Sequence, residues 1–167
     1  MRGMTQAERD RLIQHYADGP ARIRAALARV PEAARTFRPA PGEWSAHEVV
    51  CHCADSEVNA YARIRFVVAE KEPVIQGYDQ EVWARTLHYH ELPLDAALAT
   101  VDAVRATTAA LLRTLSDADW AKQGTHTESG PYGAEAWLRI YADHLENHAR
   151  QIESNLAAWH AAEHARR

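Results

Sequence analysis

Residues 137–159 read WLRIYADHLENHARQIESNLAAW. Trp137, Tyr141, His144, His148, Ile152, Asn155 and Trp159 recur at spacings of three and four, with Leu145 and Leu156 at the border of the stripe. Arg139, Asp143, Glu146, Arg150 and Glu153 fall on the opposite side. This period is that of a long amphipathic helix with one buried face, predicted over about Ala134 to His160. His144 and His148 sit in mid-stripe with their rings one turn apart, the spacing by which a helix presents two imidazoles to one cation. Two core histidines with hydrogen-bond partners would show the same pattern.

The rest of the chain supplies partners for that face. Thr5-Gln6-Ala7-Glu8 has capping-box spacing and opens a first helix, which Gly19-Pro20 breaks or kinks, so that Pro20 starts a second segment to about Val30. Arg38-Pro39-Ala40-Pro41-Gly42 is a linker, and Ser45 with Glu48 opens a long helix to about Glu70. A short helix from Asp79 to Leu87 and a third long one from Leu94 to Leu115 follow. A loop with Gly124, Gly130 and Gly133 leads to the last helix. No segment alternates β-branched and polar residues, so no sheet is predicted. The expected fold is all-α: one domain over residues 1–167, a four-helix bundle with a short extra helix in a long connection.

Composition narrows the function. The chain has 167 residues, 47% hydrophobic and 25% charged, a globular balance. A net charge of −4 and a pI near 6.2 speak against a nucleic-acid surface. No apolar run approaches the roughly 18 residues that cross a bilayer, so no membrane partner is expected. The start, Met1 to Gln6, has no apolar signal core, and cytoplasmic placement is the expectation. Cys51 and Cys53, two apart on a helix, point to different faces and are read as unbridged, Cys53 as core filler and Cys51 as outward-facing.

The Ser45 helix offers a third imidazole. Its apolar arc holds Val49, Cys53, Ala60, Ile64 and Val67, and His52, Ser56, Asn59 and Arg63 run beside it. Two histidines from one helix and one from another would form an open three-nitrogen site, the pattern of catalytic centres. Zinc, nickel, iron or copper would suit it. Glu57 falls inside the apolar arc, where a carboxylate needs a metal, a donor or an arginine from another helix. His144-Leu145-Glu146-Asn147-His148 shares only histidine spacing with a zincin helix, since its glutamate points outward. Cys51-His52-Cys53 diverges by about 100° per residue and cannot converge on one ion. His126 edges a pocket or is solvated, and His15, His47, His88, His90, His160 and His164 read as surface residues.

Several separated motifs resemble the DinB/YfiT-like superfamily. They are Trp44-Ser45, His52-Cys53-Ala54-Asp55-Ser56-Glu57 with Asn59 and Arg63, Pro73-x-Ile75-x-x-Tyr78-Asp79-x-x-x-Trp83, His126-x-Glu128-x-Gly130, and Tyr141-Ala142-x-His144-x-x-x-His148-x-x-Gln151-Ile152. The chain is most similar to the YfiT-like metal-dependent hydrolase branch, related to bacillithiol S-transferases. It departs from that branch in carrying Glu57 where a histidine often follows Asp-Ser. The resemblance implies an up-down-down-up four-helix bundle, a divalent metal, zinc or nickel foremost, on His52, His144 and His148, and a homodimer. It further implies a low-molecular-weight thiol as co-substrate.

On that basis the expected function is a metal-dependent thiol S-transferase or hydrolase acting on a small-molecule substrate. A bound cation would hold a thiol or water in its deprotonated form. Glu57 would support the site from behind or act as general base, and Asn59 and Arg63 would orient an anionic substrate. Tyr141 and Trp137 would form pocket wall. The alternative is a non-catalytic metal- or small-molecule-binding stress-response protein.

Overall fold

A computed structural model of the chain describes residues 3–166; Met1 and Arg2, part of the N-terminal stretch read above, and Arg167 lie outside the described residues. Four long helices dominate: α1 (Gln6–Ala28), α2 (Ala46–Ala69), α4 (Leu94–Leu112) and α6 (Ala134–Ala165). Two short helices, α3 (Gln80–Thr86) and α5 (Asp117–Trp120), lie in the connections. The N-termini are chemically specified. Thr5 with Glu8 and Ser45 with Glu48 form reciprocal capping boxes on α1 and α2, and Asp79 caps α3 through the amides of Glu81 and Val82.

Side-chain contacts fix the helix directions. Arg9 near the start of α1 pairs with Glu135 at the start of α6, and Arg29 beyond its end pairs with Glu153, so these two helices run parallel. Trp137 Nε1 donates to the carbonyl of Ala60 while Asn155 Nδ2 donates to that of Trp44, which sets α2 antiparallel to α6. Arg24 bonds Asp102 and Arg113 bonds Gln14, so α4 is antiparallel to α1. The bundle is therefore up-down-down-up, with consecutive helices α1 and α2 on one diagonal.

Gly19-Pro20 does not break α1. Pro20 lies inside a continuous helix whose Tyr16 carbonyl, left without a partner by the missing proline N–H, accepts from Arg105 Nη1 at 2.6 Å. The core divides into two apolar clusters. One holds Ile23, Val49, Cys53, Val101, Leu145 and Ile152; the other holds Ile13, Tyr16, Ala60, Ile64, Leu112, Trp137 and Tyr141. By chain position Gly19, Glu57, Arg105 and His144 fall between them, on all four helices.

The expectation of no sheet is corrected. β1 (Val74–Ile75) pairs in parallel with β2 (Gln123–His126), which pairs antiparallel with β3 (Gly130–Gly133). These strands are two to four residues long and rich in glycine, so no period-two pattern had room to develop. The sheet ties the α2–α3 connection to the loop before α6. Among the described residues no helix is long and apolar enough to cross a membrane.

Candidate metal centre

α2 and α6 bring three imidazoles to one point. His52 comes from the second turn of α2, and His144 and His148 from the middle of α6. One ring nitrogen from each can be chosen so that all three lie within 4.8 Å of one another. Ring centroids are 4.6 Å apart for His144–His148, 4.8 Å for His52–His148 and 5.7 Å for His52–His144. His52 is buried beneath the Trp44 ring, whereas His144 and His148 are half-buried. The two α6 histidines thus border the buried stripe, and Leu145 and Ala149 take its centre, because α6 faces α1 as well as α2.

The outer nitrogens are held from behind. Nδ1 of His144 lies 2.9 Å from Glu57 Oε1, and Nδ1 of His148 lies 2.8 Å from the Gln151 side-chain oxygen. A carboxylate and an amide oxygen accept only, so the proton of each neutral ring sits on Nδ1 and the lone pair on Nε2; Ser56 Oγ lies 3.4 Å from Nε2 of His144 at the cleft wall. Nδ1 of His52 is buried without a hydrogen-bond partner among the described residues. Burial, reinforced by the neighbouring imidazoles, pushes His52 down to about 2 and His148 down to about 4. Three ring nitrogens within 4.8 Å of one another, one ring with an orphaned buried nitrogen, fit a divalent cation.

Glu57 is where the sequence left two readings open. It is fully buried and doubly bonded by Arg105, Nε to Oε2 at 2.7 Å and Nη2 to Oε1 at 2.6 Å. Burial alone would raise this carboxyl, but the Arg105 charge and the His144 hydrogen bond outweigh it and hold it below the usual range. With its side chain fully buried and both oxygens hydrogen-bonded, Glu57 faces Arg105 and His144 and does not line the cleft.

A cleft of about 370 Å³ opens over the three rings. Arg63 and Tyr141 line it, with Arg63 Nη1 donating to the Tyr141 hydroxyl at 3.1 Å and Nη2 to the Gln76 carbonyl at 2.7 Å. Two expected residues are absent from it. Asn59 donates its amide to the Asp55 carbonyl one turn back in its own helix, and Trp137 is wholly buried in the core. Cys51, expected to point outward, is buried under the segment after α3, its thiol donating to the Tyr89 carbonyl. Burial pushes Cys51 up to about 12 and Cys53 well above its ordinary value, so neither offers a thiolate.

The sheet contributes wall residues that helical periodicity could not reveal: His126, whose Nδ1 accepts from the Glu128 amide, and Glu128 itself. Tyr78 and exposed Ile140 complete the rim. None of His15, His47, His88, His90, His160 or His164 lines the cleft. Arg105 was readable but missed: it stands in the apolar arc of α4 with Leu98, Val101, Thr108 and Leu112.

The family profile described as DinB superfamily matches residues 15–152. The chain belongs to the DinB superfamily. Within this superfamily it is 36% identical over 113 residues to a protein of Oceanobacillus iheyensis named "Putative metal-dependent hydrolase", covering 68% of this chain and 65%, just under two thirds, of that one. A Bacillus mycoides protein of the same description is 32% identical over 145 residues, 87% of this chain and 83% of that one. The fold superposes on YfiT from Bacillus subtilis with a TM-score of 0.86 and 25% identity, over 93% of this chain and 89% of the other. That protein is described as "a probable metal-dependent hydrolase with an unusual four-helix bundle topology".

Proposed function

We propose that this DinB-superfamily chain is a metal-dependent enzyme in which His52, His144 and His148 hold a divalent cation, zinc or nickel, and that it activates a small nucleophile for hydrolysis or thiol transfer. The observation that carries this reading is the convergence of three imidazole nitrogens from two helices within 4.8 Å, two of the rings fixed through Nδ1. When bound, the cation supplies Lewis acidity that lowers the pKa of water or a thiol at its open positions. The names of the relatives support hydrolysis. The resemblance of the sequence motifs to a branch related to bacillithiol S-transferases, and the cleft of about 370 Å³ over the three rings, are what favour thiol transfer as the other reaction.

The chain's own residues then have defined tasks. Glu57 and Gln151 keep the Nδ1 protons in place and so aim Nε2 of His144 and His148 into the cleft. Arg63, steadied by Tyr141 and Gln76, retains free N–H donors that would hold a carboxylate of the substrate. Glu128 is the carboxylate on the cleft wall and would take the proton released by the nucleophile. Homodimerisation and cytoplasmic placement belong to the same reading.

The test begins with elemental analysis of untagged protein. It continues with ester hydrolysis and thiol-conjugation assays, with and without chelator. Stoichiometric zinc or nickel and chelator-sensitive turnover are expected, both lost in folded His52→Ala, His144→Ala and His148→Ala variants. Protein that retains no divalent metal after incubation with zinc or nickel overturns the reading. Metal without turnover in either assay instead leaves a binding protein.

A further inference from the structure

We propose that Pro20, on the helix diagonal to α2, is a positioning residue for the three-histidine centre, acting through Arg105 and Glu57; this rests on the metal reading above. In an uninterrupted helix the amide of residue 20 would bond the carbonyl of residue 16. Proline has no amide hydrogen, so the Tyr16 carbonyl is left free deep inside the bundle. Arg105 Nη1 fills that place at 2.6 Å, with its guanidinium stacked 3.7 Å from the Tyr16 ring. Nη2 also donates to the Tyr141 carbonyl at 2.9 Å. The plane of the guanidinium is thereby set from α1 and α6, and its other edge grips both Glu57 oxygens.

Gly19 completes the seat. A Cβ there would stand 3.0 Å from Leu145 and 3.1 Å from Arg105 Nη1, so any larger residue would push Leu145 or the guanidinium by a few tenths of an ångström from its present place against α1. The relay runs Tyr16 carbonyl, Arg105, Glu57, His144, each link being a hydrogen bond of 2.9 Å or less. An arginine fork is planar and rigid, so a shift at one edge is passed to the other. The Gly19-Pro20 pair, which in sequence reads as a helix break, thus supplies the acceptor that aligns a ligand carried on another helix.

Pro20→Ala tests this, because it restores the helix amide as a competitor for the Tyr16 carbonyl while favouring the helix itself. The expected result is an unchanged or raised Tm, with zinc affinity, measured by competition against a chromophoric chelator, weakened about three- to tenfold. The His144 Nδ1 proton resonance should also move in metal-free protein. Arg105→Lys, which keeps the charge and loses the fork, should weaken zinc binding about 10- to 100-fold. In that background Pro20→Ala should add nothing. Wild-type zinc affinity and an unmoved His144 resonance in folded Pro20→Ala would overturn the relay and leave the metal reading standing. Equal, additive losses in both backgrounds would also overturn it. Wild-type protein that binds no zinc would overturn the metal reading, and this inference with it.

Discussion

Arg105 shows how one side chain can carry both stability and function. Its charge is matched by Glu57 at zero solvent exposure of either side chain, and Tyr16 and Tyr141 carbonyls take further donors. A buried pair of this kind contributes little net stability compared with apolar residues, but losing one partner strands the other charge. Arg105→Ala is therefore expected to destabilise the protein by about 3–5 kcal/mol in urea unfolding. Replacing the pair together, Glu57→Leu with Arg105→Met, should recover most of that loss while leaving His144 without its Nδ1 acceptor. At this scale the sequence was informative about residue types and poor about partners. Glu57 was recognisable as a carboxylate in an apolar arc. Whether metal, amide or arginine would satisfy it depended on a helix 48 positions away.

At the scale of elements, helix boundaries followed from local chemistry, since capping side chains act within three or four residues. The sheet did not. Its strands are held by neighbours and not by propensity: the Thr125 amide donates to the Pro73 carbonyl, and the Thr127 amide to that of Ile75. Gly124 sits where a Cβ would come within 2.4 Å of that Pro73 carbonyl oxygen. Gly124→Ala should therefore part β1 from β2 and cost about 2 kcal/mol or more in thermal or urea unfolding. Gly77 has a different neighbour, the exposed Glu128 carboxylate, whose carbon stands 2.4 Å from a Cβ placed there. Gly77→Ala is expected to leave stability within about 0.5 kcal/mol, because the carboxylate can swing away. Turnover should fall with it if Glu128 takes the proton, and the comparison of Tm with kcat separates the two effects.

For the molecule as a whole, the three-histidine layer couples stability to pH. An unfolded chain protonates His52 and His148 near their ordinary value of about 6.5. The folded metal-free chain does not until about pH 2 and about pH 4. The unfolded state therefore binds more protons below about pH 6.5, and stability present at higher pH is lost on acidification, by on the order of 1–2 kcal/mol per ring at pH 5. Urea midpoints of chelator-treated protein between pH 8 and pH 5 check this, and a flat profile would contradict it. Zinc at a hundredfold over its Kd should add about 2.7 kcal/mol near neutral pH. By itself the sequence determined the four helices, the one-turn spacing of His144 and His148 on one side of the last helix, and the superfamily motifs, because helical period and capping are written within a few residues of each position. Only the tertiary structure decided that Asn59 and Trp137 stay out of the cleft, that Glu128 and His126 enter it, and that Pro20 leaves a carbonyl for Arg105. Those outcomes depend on which helices pack as neighbours, and on short strands meeting across gaps of about fifty residues that no local periodicity encodes.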